Sequence, residues 1–151
     1  CWSLVGSEMC IRDRVKSFAA VAKNLSMEHV LIVHGFDGLD EITITNKTYV
    51  AELKDNSINE YEISPKDFGL NFGQLSEIIA QSSDDSLQLI REAFSGEKSA
   101  VQDMIALNSG AALYLANVVH SIADGVELSF ELMNNGMAAD KLASYVRVSN
   151  S

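Results

Sequence analysis

The chain has 151 residues, a formal net charge of −10, and 47% hydrophobic against 21% charged residues. That length supports one soluble domain with a real core. The charge repels phosphate backbones and anionic membranes, so neither nucleic acid nor a membrane is an expected partner, although a bound cation or a local basic cluster can still bring in a small anion. No apolar run approaches the ~20 residues that cross a bilayer, and no basic segment leads into a signal-peptide core, so the expected compartment is the cytoplasm.

Residues 1–14 read CWSLVGSEMCIRDR and hold the only Trp and both cysteines, Cys1 and Cys10. Neither cysteine has a CxxC partner or a histidine at metal-ligand spacing. From Ser3 to Arg14 the segment resembles the translation of a sequencing adapter. The expectation is that residues 1–14 are foreign to the fold, that the gene was cut upstream of Val15, and that residues 15–151 form the domain.

From Val15 the pattern becomes regular. Val15, Phe18, Ala19 and Ala22 have helical spacing. Val30-Leu31-Ile32-Val33 is an uninterrupted apolar run rich in β-branched residues and reads as a strand buried on both faces, as in a parallel sheet. A helix followed by such a strand implies an α/β architecture. Three β-like runs follow, residues 42–45, 48–53 and 58–63, with turn chemistry at Asn46-Lys47 and Asp55-Asn56; they read as an antiparallel meander. Ser64-Pro65 starts a short helical turn. Beyond Gln74 the chain reads as helices. Asp84 is the expected cap of one ended by Gly96, and Ser99 with Gln102 opens the longest. Asp124 with Glu127 opens the next, which Gly136 closes, and a final helix carries Ala138, Leu142, Tyr145 and Val146.

The strand at residues 30–33 runs into His34-Gly35-Phe36-Asp37-Gly38-Leu39-Asp40-Glu41. Loops beyond the carboxyl ends of strands are where open α/β sheets bind ligands. Adjacent Asp40 and Glu41 suit a hard divalent cation such as Mg²⁺, which prefers carboxylate oxygens and keeps waters while bridging to phosphates. On a regular strand the two side chains would point to opposite faces, so a shared site needs the turn at Gly38 to twist the backbone. A solvated acidic loop is the alternative. Asp37 either supports this site from behind or stabilises the turn. His34 is expected to hydrogen-bond the loop, His29 and His120 to lie at the surface or in helix packing, and Met104, Met133 and Met137 to fill core. No serine or cysteine has the surroundings of a nucleophile, so no residue is assigned a covalent catalytic role.

Val33-His34-Gly35 followed by Asp37-Gly38-Leu39-Asp40-Glu41 resembles the VHGxDGLDE signature of the anthranilate phosphoribosyltransferases. The resemblance continues through YEISPKDFG at residues 61–69 and through Asn108 and Ala111-Ala112-Leu113-Tyr114. It implies the C-terminal part of the nucleoside phosphorylase/phosphoribosyltransferase catalytic domain, a mixed sheet with an antiparallel meander and packed helices. It implies transfer of the phosphoribosyl group of phosphoribosyl pyrophosphate to anthranilate, a step of tryptophan biosynthesis. It also implies Mg²⁺ on Asp40 and Glu41, with Glu41 bridging two ions. The family's glycine-rich phosphate loop and most anthranilate contacts would lie upstream, as would its dimer-forming helical domain, so this chain alone is expected to be inactive. A looser DGLDE core is shared with pyrimidine nucleoside phosphorylases. A non-enzymatic nucleic-acid-binding relative is disfavoured by the net charge and the retained acidic pair.

Overall fold

The computed structural model describes residues 4–150, with side chains from residue 13 onward. It divides into two compact units, Cys1–Asn71 and Phe72–Ser151, where the length suggested one.

In the first unit, helix α1 spans Leu4–Asn24. It begins well before Val15, so the aperiodic segment continues the helix; the expectation that residues 1–14 stand apart concerns, for residues 1–12, side chains outside the described ones. The buried face is Val15, Ala19 and Ala22. Small residues at this spacing let the helix lie close to the sheet, where Val15 and Ala19 pack with Tyr49 and Ala51, flanked by Ile32, Phe36 and Ile58. Phe18, expected on this face from the spacing, is exposed instead. The helix stops in a Schellman arrangement: Ser26 is left-handed at φ 57, Met27 N donates to Ala22 O at 3.1 Å, and Ser26 N to Lys23 O at 3.0 Å.

Strands β1 (His29–Gly35), β2 (Thr48–Lys54) and β3 (Ser57–Ile63) form one sheet in the order β1-β2-β3. Both pairings are antiparallel, so among the described residues the sheet is not mixed. β1, expected in a parallel sheet with both faces buried, is an edge strand that is half-buried along most of its length; β2 is the buried one. A β-branched run reports apolar surroundings, not the direction of its neighbour, and that is why the pattern misleads here. The register pairs Val33 with Val50 and Leu53 with Ile58, placing Tyr49, Ala51 and Leu53 on one face. Asp55 and Asn56, at φ 49 and 60, make the two-residue turn with both φ positive that matches strand twist.

Residues 42–45 are not a strand. Ile42, Thr43 and Ile44 are 3%, 1% and 0% exposed, yet Thr43 N donates to the Thr48 hydroxyl at 3.0 Å instead of to a ladder. The alternation of this stretch comes from a buried loop whose polar groups are met by side chains.

His29, expected at the surface or in helix packing, is instead a nearly buried sheet residue. Its Nε2 lies 2.9 Å from Glu52 Oε1, and Tyr61 donates its hydroxyl to Glu52 Oε2 at 3.0 Å. After β3 a short 3₁₀ turn, Pro65–Phe68, ends on left-handed Gly69.

The second unit holds α2 (Ser83–Phe94), α3 (Ala100–Leu115), α4 (Ile122–Asn134) and α5 (Met137–Ser149). Three begin alike: Ser82, Ser99 and Ser121 each accept the amide three residues on, at 3.1 Å. The cap of α2 is therefore Ser82, and Asp84 sits in its first turn. Gln102 does not complete a capping box; its buried amide donates to Ala93 O at 3.0 Å and Asn134 Oδ1 at 3.1 Å, tying α3 to α2 and α4. With 16 residues α3 is shorter than α1, with 21. Met133 is core, whereas Met137 is exposed. No helix among the described residues is long and apolar enough to cross a membrane.

Candidate functional site

The loop from Gly35 to Lys47 leaves the carboxyl end of β1 and returns to the amino end of β2. Its base is closed by Gly35 N donating to Leu39 O at 2.8 Å, Gly38 N to Gly35 O at 2.9 Å, and Phe36 N to Lys47 O at 2.9 Å. Gly38 is left-handed at φ 95, a conformation that L side chains rarely adopt. The chain consequently leaves β geometry before the acidic pair, and Asp40 and Glu41 lie on a bend. This removes the opposite-face constraint of a regular strand.

Both Asp40 and Glu41 are exposed, and neither carboxylate has a hydrogen-bond or ion-pair partner among the described residues. Two free hard-oxygen donors open to solvent fit a cation that retains waters and takes phosphate oxygens as further ligands. No group of three or more His, Cys, Asp or Glu residues gathers for a metal among the described residues. The pair would hold an ion only together with water and an anionic ligand.

Asp37 behaves differently. Its Oδ1 accepts Leu39 N at 3.2 Å, and its Oδ2 accepts the Thr43 hydroxyl at 2.5 Å and also the Thr45 hydroxyl. Thr43 Oγ1 in turn accepts Thr45 N at 3.0 Å. Burial pushes the Asp37 carboxyl up, but the hydrogen bonds from Thr43, Thr45 and Leu39 outweigh it, and the net effect holds it below the ordinary range. A folded-state value below the unfolded one contributes stability above about pH 3.9 that is lost as pH falls through the folded value. The stability gap between the native chain and Asp37→Asn is therefore expected to be full at neutral pH and to close on acidification below about pH 4. Acid titration of both, read by urea midpoints, checks this; a gap independent of pH would contradict it.

Asp37 stabilises the turn through these hydrogen bonds. Thr43 and Thr45 escape sequence reasoning because residues 42–45 read as a strand. The available signal is two threonines interleaved with Ile42 and Ile44, since buried hydroxyls need acceptors and Asp37 is the acid of the loop with no adjacent acidic neighbour. His34 is half-buried opposite Tyr49 and makes no hydrogen bond to the loop. His120 is exposed, as expected.

In the second unit, Asp103 is 8% exposed and its Oδ1 has no hydrogen-bond partner among the described residues. Burial raises its pKa, opposed by the charge of Lys98. An apolar cavity of about 360 Å³ lies among Phe94, Ile105, Leu113, Leu132 and Met133. Neither feature adjoins the acidic pair in sequence.

Comparison with known proteins fits this α/β arrangement. The anthranilate phosphoribosyltransferase of Vesicomyosocius okutanii is 44% identical over 138 residues, covering 91% of this chain and 41% of that protein. The crystal structure of the Thermus thermophilus anthranilate phosphoribosyltransferase superposes with a TM-score of 0.82 at 27% identity, over 92% of this chain and 41% of that one. The Saccharomyces cerevisiae enzyme, in complex with PRPP and Mg, shares the fold with a TM-score of 0.77 at 23% identity, over 91% and 40%. The chain thus spans about two fifths of the length of the relatives it matches. The family model described as glycosyl transferase family, a/b domain, matches residues 8–139, most of the chain, and the chain belongs to that family.

Proposed function

We propose that this chain is part of an anthranilate phosphoribosyltransferase and supplies its cation-holding loop. The observation that carries the reading is the exposed pair Asp40 and Glu41, unpartnered among the described residues, on a bend set by left-handed Gly38, in a chain 44% identical to an enzyme of that name. In this reading the whole enzyme joins phosphoribosyl pyrophosphate to anthranilate. Asp40 and Glu41 would hold the Mg²⁺ that meets the pyrophosphate group. When bound, the cation neutralises charge that builds on the leaving pyrophosphate. The chain's own part is to present two carboxylates at fixed spacing, with enough open space beside them for waters and phosphate oxygens. A formal charge of −10 gives this chain no general attraction for an anion, which favours a cation as the bridge.

Calorimetry tests this on the full chain. Mg²⁺ alone is expected to bind weakly, and more tightly with pyrophosphate present. Asp40→Asn with Glu41→Gln is expected to abolish both heats and leave the fold unchanged, since both side chains are exposed. Equal heats from the native and doubly substituted chains would remove the acidic pair from the site.

A further inference from the structure

We propose that Asp37 is a positioning residue, whose carboxylate clasps the two ends of the segment carrying Asp40 and Glu41 and so sets the affinity of that pair for a divalent cation. The inference rests on the cation reading above and adds to it a determinant that touches no ligand.

The geometry is specific. Leu39, which donates its amide to Asp37 Oδ1, immediately precedes the acidic pair; Thr43 and Thr45, whose hydroxyls donate to Oδ2, follow it closely. One carboxylate therefore spans both flanks of a bend that has no strand ladder of its own. The second flank is fixed further by Thr43 N on the Thr48 hydroxyl and by buried Ile42 and Ile44, so Asp37 ties the first flank to an anchored wall. Gly35 belongs to the same device. A Cβ there would overlap Asp37 Oδ1, and would also meet Thr43 Cγ2 at 3.1 Å and Leu39 O at 3.3 Å. The carboxylate occupies the space that a side chain at position 35 would need.

Two exposed carboxylates bind an ion well only if their separation is held, because otherwise binding must order the loop as well as desolvate the ion. Outer residues that orient metal ligands typically change affinity by about 10–100-fold when removed. Asp37→Asn keeps the shape but replaces one acceptor oxygen by a donor facing the threonine hydroxyls. Thr45→Val removes one donor at a half-buried position and keeps the volume.

The test measures Mn²⁺ affinity, with and without pyrophosphate, for native chain, Asp37→Asn, Thr45→Val and the Asp40→Asn/Glu41→Gln double variant. All are held well below their melting midpoints and checked for unchanged circular dichroism. Affinity is expected to fall about 10–100-fold in Asp37→Asn and by less in Thr45→Val, with both still folded. A residue that served the fold alone would lower the melting midpoint and leave affinity untouched, and native-like affinity in both folded variants overturns the proposal. Should Asp37→Asn fail to fold, Thr45→Val carries the same decision alone. A native chain whose binding is indifferent to the double substitution overturns the cation site, and the positioning role with it.

Discussion

Gly125→Ala is expected to destabilise the helical unit by about 3 kcal/mol, the upper end of the usual cost of overpacking. Exposed glycines inside helices normally gain about 1 kcal/mol on becoming alanine, so the expected sign is opposite to propensity. The reason is the crossing of α3 and α4. A Cβ on Gly125 would overlap the Gly110 carbonyl oxygen and lie 2.8 Å from Gly110 Cα. A Cβ on Gly110 would meet Val126 N at 2.6 Å and Gly125 C at 2.9 Å. Both obstacles are backbone, which cannot rotate aside, so the helices must separate and loosen Ala106, Leu107, Ala111 and Val126, all buried. Urea denaturation followed by helical dichroism reads the effect. Gly136 is the control: it has open space around it and a φ of 84, so its alanine variant is charged only for backbone strain, about 1–2 kcal/mol. Unchanged or raised stability in Gly125→Ala would mean that the two helices do not touch backbone to backbone.

Ile44→Ala is expected to cost about 2–5 kcal/mol, as deletion of a fully buried aliphatic side chain does. Ile44 is among the largest side chains with no exposed surface, yet it belongs to a loop and not to a strand or helix. It seats the second flank of the acidic bend, so its loss should weaken Mn²⁺ binding as well as stability. Ala substitution at exposed Lys47 provides the surface comparison, where changes usually stay within about 0.5 kcal/mol. A cost that small for Ile44→Ala would show that the loop is not seated in the core.

The same loop separates what can be read in the sequence from what cannot. The helices of the second unit are legible because capping chemistry and apolar period mark them, although Ser82 and not Asp84 starts α2, and Ser121 and not Asp124 starts α4. The Asp55-Asn56 hairpin is legible because few residues tolerate positive φ twice running. Strand direction is not, since Val30 to Val33 carries the same apolar signal whichever way its partner runs. The acidic pair stands out because two adjacent carboxylates after a glycine turn are a local pattern. The clasp behind it is hidden, because it joins residue 37 to residues 43 and 45, and the threonines imitate strand alternation. Gly110 and Gly125 are silent for a related reason: a helical glycine lowers propensity, and only the partner helix shows that nothing larger fits.

Paramagnetic broadening is the most direct test of whether the acidic bend holds the cation. Amide spectra of the full chain are recorded while substoichiometric Mn²⁺ is added in the presence of pyrophosphate. The cation reading predicts that the amides flanking Asp40 and Glu41, from Gly35 to Thr45, vanish first, and that Asp40→Asn with Glu41→Gln restores them. Broadening centred on any other acidic stretch, such as Asp84 and Asp85 at the start of α2, or surviving the double substitution, would contradict it.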